Sequence, residues 1–383
     1  MPVPQTSAQL TERVSQAQAA SNETLENDSV IAPTDRNTDE PEVMVTEQGV
    51  KYIVHPSKLM PGGPPPDGIP SIDSPKFISA EQANEWLGDE EFVLGIEYNG
   101  ILRAYPHQIL VWHEIVNDNF NEDPVLITYC PLCFTGIAFE RIVDGEQVEF
   151  GTSGKLLNSD LVMYDRKTRS YWSQITGQAI VGELSGMKLN AIPLDTIRWV
   201  DWKNLHPDTK VLSRDTGHFR NYGADPYGGY YTGGGTIFPV DSNDNRLQTK
   251  AIVFGLEING ASIAYPEEDI AAVGGVLNHQ FKGVPLLVFQ LPNQTTQVTA
   301  GGSAAAMARA TRIFERSVSG RALAFELANG ILVDESGSEW SFEGIGLSGP
   351  NKGTRLTRLD RGPHFWFAWS SFFPETELYQ AGP

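Results

Sequence analysis

The sequence predicts an α+β fold, mostly short antiparallel β-strands with a few helices, in which internal duplication gives two pseudo-symmetric lobes. Three observations carry this reading. Apolar runs are short and closed by turn residues, as at Asn99-Gly100. Helical patterns are few and brief. One hairpin occurs twice: Val93-Leu94-Gly95-Ile96-Glu97-Tyr98-Asn99-Gly100 with Ala104-Tyr105-Pro106 returns as Val253-Phe254-Gly255-Leu256-Glu257-Ile258-Asn259-Gly260 with Ala264-Tyr265-Pro266, an offset of 253 − 93 = 160.

The echo continues in one order. Phe139-Glu140-Arg141 answers to Phe314-Glu315-Arg316, Trp172-Ser173 to Trp340-Ser341, and Trp202 with Pro207 and Thr209 to Trp369 with Pro374 and Thr376. That pattern fits a doubled unit rather than a short-period solenoid. The expected boundaries are a disordered acidic tail over 1–50, an N-terminal lobe with an opening loop and the cysteine site over 51–222, a Gly/Tyr-rich linker over 223–250, and a degenerate second lobe over 251–383. Residues shared by both copies read as scaffold, so chemistry is sought among polar residues present in one copy alone.

Composition sets limits. A chain of 383 residues, 40% hydrophobic, can bury a sizeable core. Its 28 basic and 48 acidic residues give 28 − 48 = −20, which disfavours nucleic acid and anionic membranes as partners. Two cysteines are too few for a disulfide scaffold. No stretch has the apolar length of a membrane span and no export signal stands at the start, so the expectation is a soluble protein, cytoplasmic as written, or exported if the true start carries a signal.

In chain order, the Pro- and Gly-rich run from Pro61 through Gly62, Gly63, Pro64, Pro65, Pro66, Asp67, Gly68 and Ile69 to Pro70 must be a fixed-path loop. A short helix follows over 79–87, with Ser79 as cap and Gln82 three residues on. After the first hairpin, 107–118 reads as a helix with Ile109, Trp112, Ile115 and Val116 on one face, His113 at its edge and Glu114 turned towards solvent. Val125-Leu126-Ile127-Thr128-Tyr129 is a buried strand, 137–150 a hairpin turning at Asp144-Gly145, 167–174 and 179–189 hold further strands, and 196–205 is a Trp-bearing helix.

Cys130-Pro131-Leu132-Cys133 is the chemical centre. Two thiols at this spacing can share a metal ion, close a reversible disulfide, or act as nucleophile and resolver. A thioredoxin-like site needs the second cysteine on the first turn of a helix, whereas here a hairpin pattern follows, as in a metal knuckle. The expected metal ligands are Cys130, Cys133 and His113, with Met163, His206 and Glu114 as additional candidates; His107 ranks lower. Two Cys with His suit zinc, and a further Met suits copper, which is placed ahead. The leading reading is a metal-binding protein, with a redox enzyme as one form of it and a small molecule or protein as redox partner. The alternatives are a metal-free thiol-disulfide oxidoreductase using Cys130 and Cys133, and a non-catalytic binding module.

The motifs Asp67-Gly68-Ile69-Pro70-Ser71-Ile72-Asp73, His113-Glu114-Ile115-Val116-Asn117-Asp118, Thr128-Tyr129-Cys130-Pro131-Leu132-Cys133 and Ser159-Asp160-Leu161-Val162-Met163-Tyr164-Asp165 resemble an uncharacterised prokaryotic family catalogued as domain of unknown function 3179. The resemblance runs over about residues 60–379. It implies that His113, Glu114, Cys130, Cys133 and Met163 belong to the family pattern and that His107 does not, and it implies export for many members.

Overall fold

A computed structural model describes residues 41–241, 243–292 and 308–382. Short antiparallel strands in several sheets dominate it, with a few short helices between them, as the α+β reading expects. Of the expected tail, residues 1–40 lie outside the described residues; inside 41–50, Met44–Val45 already pairs with Lys51–Tyr52.

β1 (Phe77–Ser79) leads into α1 (Ala80–Ala83), which carries the expected Ser79/Gln82 capping box but ends after one turn. β2 (Phe92–Tyr98) and β3 (Ile101–Pro106) form the first hairpin. Asn99 and Gly100 both take positive φ, 49° and 74°, the geometry that a tight two-residue hairpin requires.

The expected helix over 107–118 is cut short. α2 (His107–Leu110) ends after one turn, and Ile115 opens β4 (Ile115–Phe120). Spacing at 109, 112, 115 and 116 serves a helix face and a buried strand equally. The β-branched pair Ile115-Val116 finds partners in Thr128 and Ile127 of β5 (Asp123–Cys130), so ladder hydrogen bonds prevail over helical periodicity.

The first half also holds β6 (Thr135–Glu140), β7 (Phe150–Leu157), β8 (Asp160–Asp165), β9 (Ala191–Ile192), β10 (Asp195–Arg198), α3 (Trp199–Leu205) and β11 (Lys210–Leu212), besides shorter strands such as Tyr171–Ser173 and Ala179–Val181. The second half holds β12 (Ile252–Ile258), β13 (Ala261–Pro266), α4 (Glu267–Ala272), β14 (Val276–Phe281), β15 (Val284–Gln290), β16 (Thr311–Glu315), β17 (Thr357–Arg358), β18 (Pro363–Phe365), α5 (Trp366–Phe372) and β19 (Glu377–Leu378).

Strand order repeats between the halves. The sheet β10-β2-β3-β11-β1 has its like in β18-β12-β13-β19, and β9-β6-β5-β4 in β17-β16-β15-β14. Packing repeats too. A Cβ on Gly95 would stand 2.3 Å from Trp202 of α3, and one on Gly255 2.2 Å from Trp369 of α5, so each indole lies directly on its strand. Trp202 Nε1 donates to Thr209 Oγ1 at 3.0 Å and Trp369 Nε1 to Thr376 Oγ1 at 2.9 Å, which satisfies each buried indole. Among the described residues, no helix is long and apolar enough to cross a membrane.

Candidate metal centre

Three turns of backbone build the site. Cys130 is the last residue of β5; Pro131–Cys133 make a single 3-10 turn, and Phe134 takes the left-handed conformation at φ 52°. The chain reverses there, and Thr135 of β6 pairs back with Cys130. The second turn is Asn158-Ser159 between β7 and β8, with φ 51° and 64°, and it sets Asp160 at the start of β8. In the third, Glu114 adopts φ 58° where α2 gives way to β4, and its carbonyl accepts from Tyr129 N at 2.8 Å. A left-handed residue with a side chain costs roughly 1–2 kcal/mol, and strain of this kind gathers at functional sites.

The turns converge. Both thiols lie on the carbonyl of Ser159, Cys133 Sγ at 3.4 Å and Cys130 Sγ at 3.8 Å. Cys130, Cys133 and Asp160 place one ligand atom each within 4.8 Å of one another, and all three are buried, at 2%, 0% and 1% exposure. One Asp160 oxygen accepts from Ile175 N at 3.1 Å, while Oδ1 has no hydrogen-bond partner among the described residues.

Electrostatics follow from burial. Asp160 is pushed up to about 7 by desolvation, which backbone N–H groups and the neighbouring thiols only partly offset. Burial also raises the Cys130 thiol, with Asp160 and Glu114 pushing the same way, and holds the Cys133 thiol well above its ordinary range. Glu114, expected to face solvent, is buried: Tyr227 OH donates to its carboxylate at 3.3 Å, and desolvation raises it to about 8, with Asp160 adding to the rise. Its turn out of the shortened helix carries it inward.

His113 is placed differently from the expectation. It is fully buried, and its Nδ1 lies 2.7 Å from the Pro70 carbonyl, which can only accept, so Nδ1 carries the hydrogen and Nε2 accepts from Tyr222 OH at 2.6 Å. Burial lowers its pKa to about 4. Asp160, and not His113, is the third group gathered with the thiols. Met163 is buried in the apolar cluster that contains both cysteines. His206 lies apart from the gathered group, with its ring 4.2 Å from that of Trp202 and its Nε2 3.9 Å from a Glu343 oxygen. His107, the lower-ranked imidazole, packs tilted against Tyr129 with ring centres 4.2 Å apart.

A family model described as "Protein of unknown function (DUF3179)" matches residues 66–376. The chain belongs to the DUF3179 family. No curated protein and no solved structure matches it.

In this DUF3179 chain Asp160, which is not among the expected ligands, is the acid gathered with the thiols. Its signal was an acid heading the otherwise apolar run Leu161-Val162-Met163-Tyr164, just after a two-residue turn. The Gly/Tyr-rich stretch covers the site: Tyr230 OH donates to the Leu132 carbonyl at 2.9 Å, and Ser159 Oγ donates to the Phe238 carbonyl at 2.8 Å. As an arrangement of donors, two sulfurs and a carboxylate in a dry interior could hold a metal ion.

Proposed function

We propose that this DUF3179 protein binds one transition-metal ion, zinc ahead of copper, through Cys130, Cys133 and Asp160, with Glu114 as a further candidate donor. The observation that carries the reading is the convergence of two sulfurs and one carboxylate oxygen within 4.8 Å in a buried site. Two thiolates bound to one tetrahedral zinc ion, each at about 2.3 Å, stand roughly 3.8 Å apart. Charge supports it as well. The main influences on these four acids are burial, hydrogen bonds and one another, and a buried group of acids without a cation keeps its protons. A divalent ion would displace those protons and supply the missing positive charge.

The choice of ion follows the donors. Copper was favoured by imidazole and thioether; a carboxylate oxygen beside two thiolates moves the preference to the borderline ion zinc. Three protein ligands with a fourth position left to Glu114 or water is the arrangement of a zinc site that polarises a substrate or a bound water.

A second reading has its own support. Close thiols beside a carboxylate held at about 7 suit a metal-free dithiol in which Asp160 accepts a thiol proton and a small molecule or protein is the redox partner. The raised thiols weigh against it, since the thiolate is the nucleophile. Elemental analysis of protein made with zinc and copper present separates the two. About one metal per chain, lost in Cys130→Ser, supports the metal centre; metal-free protein with a fast, reversible Cys130-Cys133 disulfide supports the dithiol.

A further inference from the structure

The half of the chain that lacks cysteines reaches the site through a buried imidazole and the phenyl ring next to it. His364 on β18 is fully buried, and its Nδ1 lies 3.0 Å from Thr135 Oγ1. The single hydroxyl hydrogen of Thr135 goes to the Cys133 carbonyl at 3.1 Å, so the hydroxyl must accept from Nδ1–H, and the tautomer is fixed. Nε2 is then a bare acceptor, and it has no partner among the described residues. The ring stacks on Trp369 at 5.2 Å, and the next residue, Phe365, stacks on Phe134 at 5.6 Å. Both residues that follow Cys133 are therefore held from the second half.

Packing alone does not call for an imidazole there. Ile197 pairs with Val93 and His364 with Val253, equivalent positions of the repeated hairpin. Ile197 is apolar and fully buried. An aliphatic side chain at 364 would leave no unpartnered nitrogen, so histidine stands at this position at a cost in stability.

We propose that His364 is a positioning residue for the cysteine site: through Thr135 it fixes the Cys133 carbonyl and the left-handed turn at Phe134, and so keeps the Cys133 thiol beside Asp160. The effect on metal affinity rests on the metal-centre reading; the effect on the thiol does not. Phe134 is a bulky residue at φ 52°, a conformation that persists only while its neighbours hold it. Without the Thr135 bond the turn relaxes and Cys133 moves off Asp160. Partners that orient metal ligands in this way change metal affinity by about 10–100-fold when removed. Burial keeps the imidazole neutral, so the bond persists across the pH range of ordinary assays.

The test uses the full chain with His364→Ile and His364→Asn, and reads three quantities: zinc affinity by competition with a chelator, iodoacetamide alkylation of Cys133 in metal-free protein, and melting temperature. His364→Ile should keep or raise the melting temperature, weaken zinc binding about 10–100-fold and alkylate severalfold faster. His364→Asn, whose amide can donate to Thr135, should recover most of both losses. Thr135→Val, which removes the hydroxyl and leaves His364, should repeat the loss, and it decides the matter if His364→Ile does not fold. Wild-type affinity and alkylation in the isoleucine or valine variant would overturn the proposal. Wild-type protein that takes no zinc would overturn the metal reading alone, and the alkylation rates then judge His364.

Discussion

The Asp160 carboxylate stands within 4.8 Å of the Cys133 sulfur in a buried position, with one oxygen bonded to Ile175 N and the other without a hydrogen-bond partner among the described residues. Asn at this position keeps the shape and the bond to Ile175 but offers no anion to a metal. Asp160→Asn should weaken zinc binding at least about tenfold, or 1.4 kcal/mol. It should also leave the metal-free melting temperature unchanged or raise it, because a neutral amide removes a buried acid. A competition titration beside calorimetry checks both.

The same burial sets a pH dependence. Asp160 and Glu114 move from ordinary values of 3.8 and 4.5 to about 7 and 8, chiefly through desolvation. Between those values the folded metal-free chain binds more protons than the unfolded chain, so stability falls as pH rises through the window. Metal binding displaces the same protons, so zinc affinity should rise over it. Melting curves at pH 5 and pH 8, with and without zinc, should shift in opposite senses.

Asp195 joins the two halves. It accepts from Arg312 Nε at 2.9 Å and pairs with Arg358 at 2.9 Å, and it is almost fully buried. Burial alone would raise its pKa, but the two guanidinium groups hold it below the usual carboxylate range. That stability is present above the unfolded value and is lost as pH falls through the folded one. Asp195→Ala takes from buried Arg312 its bidentate partner, while Arg358 keeps Asp360 at 2.7 Å. The expected loss is about 3–5 kcal/mol in urea unfolding.

Gly95 and Gly255 make a matched pair. A methyl group at either would overlap an indole carbon, at 2.3 Å for Trp202 and 2.2 Å for Trp369. Gly95→Ala and Gly255→Ala should each destabilise by at least about 1–3 kcal/mol, the usual cost of overpacking. A cost at one position and none at the other would contradict the parallel packing of the halves.

The fold was legible where the signal is local. Asn99-Gly100 fixes its turn, Ser79 and Gln82 cap their helix, and the repeated Gly and Trp positions mark two like sheets. It was illegible where one spacing serves two structures, as over 109–116, where pairing with β5 decided the outcome. The cysteine pair was legible because no other cysteine competes with it. Asp160 was not, because only the contact between the β7–β8 turn and the end of β5 brings it to the thiols, 160 − 133 = 27 residues after Cys133. His113 was misplaced with the helix it was assigned to: once the helix ends at Leu110, its ring turns to Pro70 and Tyr222.

X-ray absorption at the zinc edge, on protein carrying one zinc per chain, reads the donor atoms themselves. Two sulfur neighbours at about 2.3 Å and oxygen neighbours at about 2.0–2.2 Å are expected. A zinc shell of nitrogen and oxygen alone would contradict the Cys130-Cys133-Asp160 site.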